Sequence, residues 1–133
     1  NWNSVNKNIE KFCNLNLDNL DLGVWPTINV MNVLYINEVM EWAEEKNLTV
    51  YFNYLIEPIG YSLKQLTRPA KDIIFEKYHD TKHTEIKNLM RDIDNMPDSD
   101  GKEFLKITNY YDNIRDESFY TSHSEIFNAM SSC

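Results

Sequence analysis

Residues 27–58, TINVMNVLYINEVMEWAEEKNLTVYFNYLIEP, contain two β-rich runs separated by one amphipathic segment. Apolar residues at positions 36, 39, 40 and 43 repeat with a period near 3.6, which predicts a helix of about a dozen residues. The flanking runs, 24–33 and 49–56, are rich in β-branched and aromatic residues, as strands are. A strand, a helix and a strand in this order predict a βαβ unit with two parallel strands.

Each predicted strand carries an asparagine in its interior, Asn29 in the first and Asn53 in the second. Alternate strand residues point to opposite faces, and the face under the crossover helix must be apolar. This parity turns a set of polar side chains away from the helix. The face turned away from the helix comprises Thr27, Asn29, Met31, Tyr51, Asn53, Leu55 and Glu57, and we expect it to line a ligand cavity.

The position of this set along the strands also favours a cavity. Ligands bind at the carboxyl ends of strands in open α/β sheets and in βα barrels. Buried amides without partners would cost roughly 1–3 kcal/mol each. Two alternatives stay open: the amides bond each other or a buried water, or the face is exposed in a two-stranded fragment.

Apolar periodicity predicts further helices on both sides of the βαβ unit. One precedes it around residues 5–13, one follows near 69–78, and three more span about 86–93, 104–114 and 125–130. We therefore predict an α/β fold that is mostly helical, a partial TIM-like barrel fragment with a helical extension. Residues 1–80 would form the partial barrel and residues 81–133 the extension, packed together as one globular unit.

The composition excludes several classes of protein. The chain has 133 residues, 42% hydrophobic, and a net charge of −8 spread along its length, so a nucleic-acid partner is not expected. No apolar run is long enough for a signal peptide or a membrane span, so we expect a cytoplasmic protein without a membrane partner. The start without Met suggests a piece of a longer protein or a trimmed chain.

Other candidate sites in the sequence are weaker. Glu76, His79 and His83 have a spacing that could present a metal face, but the helix end favours solvated side chains. Cys13 and Cys133 match no metal or redox motif. We predict no metal ligands and no catalytic residues in this chain.

The chain resembles a known family over nearly its whole length. The block INVMNVLYINEVMEWAEEKNLTVYFNYLIEPIGYSLKQL at 28–66, the tail YYDNIRDESFYTSHSEI at 110–126 and the opening NWNSVNKNIEKF carry the likeness. They resemble the carboxyl-terminal half of radical SAM proteins of the twitch-domain-containing type, found in phage and marine environmental sequences. The resemblance implies the fifth and sixth strands of a partial (β/α)6 barrel.

The family's chemistry needs a CxxxCxxC loop, which holds a [4Fe–4S] cluster that binds S-adenosylmethionine. This sequence has no such loop, so the chain alone would hold neither cofactor and would be inactive. The resemblance implies a cofactor-binding or substrate-facing role in the parent enzyme for five of the face residues: Thr27, Asn29, Met31, Asn53 and Glu57. The partner would be the missing N-terminal half.

Two other functions remain open. A free-standing α/β interaction module would self-associate as a homo-oligomer through its exposed strand edges and have no catalytic activity. A small independent enzyme could use Glu57 and the two asparagines as a polar pocket, although no residue pattern indicates a reaction for it.

Overall fold

A computed structural model describes residues 1–15 and 19–132 of the chain. The fold is mostly helical (62%) with two small parallel two-stranded sheets. The helices are α1 (Trp2–Cys13), α2 (Ile36–Glu45), α3 (Arg68–Tyr78), α4 (Thr84–Asn95), α5 (Lys102–Arg115), α6 (Phe119–Ser122) and α7 (Ser124–Ser131). The strands are β1 (Gly23–Val24), β2 (Thr27–Ile28), β3 (Thr49–Val50) and β4 (Asn53–Tyr54). The parallel βαβ prediction is confirmed.

The two sheets follow one another along a single parallel ladder. β1 pairs with β3 and β2 with β4, with Thr27 opposite Asn53 in register. Backbone N–H groups at positions 49, 51, 53 and 55 donate to carbonyls at 22, 24, 26 and 28. Pro26 interrupts the regular strand because it has no N–H to donate to the neighbouring strand.

The predicted strand lengths were wrong at both carboxyl ends. The first strand ends at Ile28, and a turn leads into a 3-10 helix, Val33–Tyr35, that opens α2. The second strand ends at Tyr54, before the cis Glu57–Pro58 bond. Ile56 is 73% exposed, because the chain has already left the ladder there.

One hydrophobic core joins the ladder to the helices. Ile28 and Val50 face it from the strands, and the buried faces of α2 to α5 and of α7 fill the rest. Two 3-10 helices, Ile59–Tyr61 and Leu63–Gln65, cross below α5. At the first of them Gly60 lies so close to α5 that an added Cβ would be 2.6 Å from the Ile107 side chain.

Cys13 lies half-buried on α1, with its thiol near the carbonyl of Lys46. The predicted terminal thiol, Cys133, lies outside the described residues. Within the described part of the chain, no helix is both long and apolar enough to cross a bilayer.

Candidate functional site

One face of the ladder is open to solvent. Trp25 is 64% exposed and Tyr51 45% exposed, and their rings stack with centroids 4.9 Å apart and planes 18° apart. Gly23 lies against this pair, since a Cβ there would approach both rings at 3.2 Å. Thr27 and Asn53, next along the ladder, are exposed as well. We call these four residues, Trp25, Thr27, Tyr51 and Asn53, the open ladder face.

Asn29 does not occupy the strand interior that the sequence predicted. Its Oδ1 accepts the Met31 N–H at 2.8 Å, while Asn32 Oδ1 accepts the Asn29 N–H at 2.9 Å. Both side-chain amides also donate to the Thr27 carbonyl, at 3.3 and 2.9 Å. Short amide side chains that bond nearby backbone favour a turn over a strand. Asn29 therefore ends the strand, and its amide is satisfied within the turn.

The structure brings only some of the predicted site residues together. Thr27 and Asn53 face each other across the ladder, and Asn29 lies in the adjoining turn. Glu57 is exposed, and its Oε2 accepts the Ile59 N–H at 3.1 Å. Met31 lines a different cavity, so the five residues do not form one pocket.

The cavity next to Met31 has a volume of about 750 Å³ and lies beside α5 and α6. Asp112 Oδ2 accepts the Phe119 N–H at 2.9 Å, which fixes the start of α6. The His123 ring stacks on Phe119 at 4.5 Å, and its Nδ1 lies 2.8 Å from Ser122 Oγ. These polar groups are engaged in contacts that hold α6 in place between α5 and α7.

Tyrosine hydroxyls anchor the strands and turns to the helices. Burial raises the pKa of Tyr54 to about 12, and its hydrogen bond to Asp92 acts in the same direction. The hydroxyl donates to Asp92 Oδ2 at 2.8 Å and ties β4 to α4. Burial also raises the pKa of Tyr61, and the Thr108 hydroxyl offsets part of that effect. Both phenols therefore stay protonated at neutral pH.

The histidine spacing near the end of α3 does not build a metal face. α3 ends at Tyr78, and His79 Nδ1 lies 2.7 Å from the Glu76 carbonyl oxygen. His83 lies instead beside Glu44 of α2, with its Nδ1 3.4 Å from Glu44 Oε1. Across residues 1–15 and 19–132, no group of three or more His, Cys, Asp or Glu side chains is placed to hold a metal ion.

Sequence reasoning missed the tryptophans. Trp2, Trp25 and Trp42 come from α1, the segment between β1 and β2, and α2, yet all three line one groove of about 590 Å³. Their wide separation along the sequence concealed this arrangement. The only available signal was that three large aromatic residues lie in or beside the segments that build the βαβ unit.

Comparison of the chain with protein-family models, with curated proteins and with solved structures gives no match. The likeness to radical SAM proteins therefore stays a prediction based on the sequence.

Proposed function

We propose that this chain supplies late βα units to a larger radical SAM barrel, with the open ladder face turned toward the barrel cavity. One observation carries the proposal: a parallel strand pair is packed under helices on one face and presents Trp25, Tyr51, Thr27 and Asn53 to solvent on the other. Strands of a βα barrel have this asymmetry, because their inner face is covered only when the remaining strands are present.

The residues available fit only one part of the family's cofactor set. The Thr27 hydroxyl and the Asn53 amide are exposed next to each other and could hydrogen-bond a ribose or a substrate hydroxyl. S-adenosylmethionine would supply the radical chemistry when bound to the complete enzyme. The cluster does not fit this chain, since its two cysteines lie 120 positions apart, at 13 and 133, with no CxxxCxxC loop.

The first experiment concerns the reading frame that precedes Asn1. An extended protein that carries a CxxxCxxC loop should show iron–sulfur absorbance after anaerobic reconstitution and release 5′-deoxyadenosine. The chain of 133 residues by itself should show neither. A reading frame without the loop, or cluster assembly on the present chain, would refute the proposal.

Variants of the open ladder face test its place in the cavity. In the extended protein, T27A and N53A should each weaken S-adenosylmethionine or substrate binding by about tenfold, because each removes about one hydrogen bond to a polar ligand. N109A, on the exposed surface of α5, provides the matched control. Equal binding by all three variants would show that the open ladder face does not line the cavity.

A second function, self-association, is favoured by the apolar part of the same face. Trp25 and Tyr51 are large and exposed, Ile56 just beyond the ladder is exposed as well, and an uncovered strand pair offers backbone groups to another copy. The isolated chain should therefore form a dimer with a dissociation constant of about 0.1 mM, because an interface of limited area binds weakly. Sedimentation should give a monomer for the W25S/Y51S variant, and a monomeric parent chain would contradict this function.

A further inference from the structure

All three tryptophans of the chain line a single groove between α1, α2 and the first strand of the ladder. Trp2 and Trp42 form one wall, with ring centroids 5.3 Å apart and planes tilted by 60°. Trp25 lies at the other side, stacked on Tyr51. A volume of about 590 Å³ falls within the range of small-molecule sites.

The rings are held in place by contacts of their own. Trp42 Nε1 donates to Asn6 Oδ1 at 2.9 Å, which fixes the indole of α2 against α1. The stack on Tyr51 and the approach to Gly23 restrict Trp25 in the same way. The aromatic surface is therefore arranged before a ligand arrives, which reduces the entropy lost on binding.

In the described part of the chain, the side chains that line the groove carry only negative charge, and an ammonium, that of Lys77, lies over the lining ring of Tyr35. Among the described residues that line it, Glu38 alone is charged, and the nearest polar companions are Asn32 and Tyr35. In the parts of the chain that the structure describes, no basic side chain forms an ion pair with Glu38. The whole chain also carries −8. An anion would be repelled here, and a cation would be attracted.

The aromatic lining selects among cations. A small inorganic cation would have to give up its hydration shell to enter the groove, and the aromatic walls offer few oxygen ligands to replace it. A methylated ammonium group is weakly hydrated, apolar on its outside, and attracted to the faces of tryptophan rings. The Lys77 ammonium already lies over the Tyr35 ring, 5.8 Å from its centroid. We therefore expect a bound cation to contact the tryptophan rings and not the Tyr35 ring.

We propose that this groove binds a small free organic cation with a methylated ammonium group, with the three indoles around its methyl groups and Glu38 balancing its charge. The site adjoins the proposed barrel cavity through Trp25, which belongs to the open ladder face, but Thr27 and Asn53 take no part in it.

The test is a titration of the chain with choline, followed through tryptophan fluorescence and the three indole N–H resonances. Every tryptophan lines the groove, so the entire tryptophan signal reports on it. Choline should shift all three indole resonances with a dissociation constant of about 1 mM. Its neutral carbon isostere, 3,3-dimethyl-1-butanol, should bind at least about tenfold more weakly.

Two variants and one control complete the design. E38Q and W2L should each weaken choline binding by about fivefold, the effect of one exposed charge pair or one ring. Both side chains are exposed, so circular dichroism should be unchanged. Y110L removes an exposed aromatic ring on α5, outside the groove, and should leave binding unaltered.

Four outcomes would overturn the proposal. Equal affinity for the neutral isostere would make the groove a plain apolar pocket. Unchanged choline affinity in E38Q and W2L would place the cation elsewhere, and no choline binding by the parent chain would remove the site. Binding to phosphatidylcholine vesicles without binding to free choline would indicate a membrane surface, which is a different function.

Discussion

The ion pair between Lys71 and Asp98 should respond very differently to the removal of each partner. Lys71 lies on α3 with only 1% of its side chain exposed, whereas Asp98 is 49% exposed. The ammonium lies 2.8 Å from Asp98 Oδ1 and also donates to the Met96 carbonyl. This pair fastens the segment after α4 to α3.

D98A leaves a buried ammonium with one carbonyl partner, and we expect a loss of about 3 kcal/mol in the free energy of unfolding. That corresponds to a fall of about 10 °C in Tm for a domain of this size. K71M keeps the apolar stem and frees a carboxylate that water can reach, so its cost should be about 1 kcal/mol. The double variant should resemble K71M.

Urea denaturation monitored by circular dichroism measures these differences. The control is D72A on the same helix, because Asp72 forms an exposed pair with Arg68 at 2.9 Å. Its cost should stay below about 0.5 kcal/mol. The reasoning fails if K71M costs more than D98A, or if D98A is no more damaging than D72A.

Two further predictions concern buried contacts. Y78F should cost about 2 kcal/mol in urea denaturation, because the Tyr78 hydroxyl donates to the Val33 carbonyl at 2.7 Å and accepts the Ile36 N–H at 3.3 Å. Burial raises the pKa of Tyr78 to about 12 from its ordinary 10.0. The neutral phenol therefore contributes stability below pH 10, and this contribution declines as the pH rises from 10 to 12. Y78F should flatten that alkaline decline, and an unchanged dependence of the free energy of unfolding on pH would contradict the assignment. G60A should lower Tm by several degrees, since its Cβ would meet Ile107 at 2.6 Å, and a Tm equal to that of the parent chain would show that α5 can shift.

The helices and the chain order of the βαβ unit could be predicted from the sequence because they depend on local periodicity. The apolar stripe of α4 at Ile86, Leu89 and Ile93 is buried as its spacing predicts. The start of α5 shows the limit of what local sequence signals predict. Asp100 and Glu103 suggest a capping box, but Gly101 occupies the N-cap position in a left-handed conformation, with φ 68°.

The candidate site was less predictable, because parity identifies a face only where a strand continues. Asn29 fits the alternation of strand residues in the sequence. Its side-chain amide nevertheless hydrogen-bonds the backbone of a turn, and the strand has ended before this position. Lys71 would be expected on a solvated face, and it is buried because Asp98 and the Met96 carbonyl stabilise its charge.

The sequence by itself determined where helices form and that two strands flank one helix, since hydrophobic period and turn chemistry act between residues close in the chain. Only the tertiary structure decided which surfaces stay open and what lines them. Trp2, Trp25 and Trp42 meet because α1, the first strand and α2 pack together. No local rule relates residues 40 positions apart, because their approach depends on how whole elements bury their apolar faces.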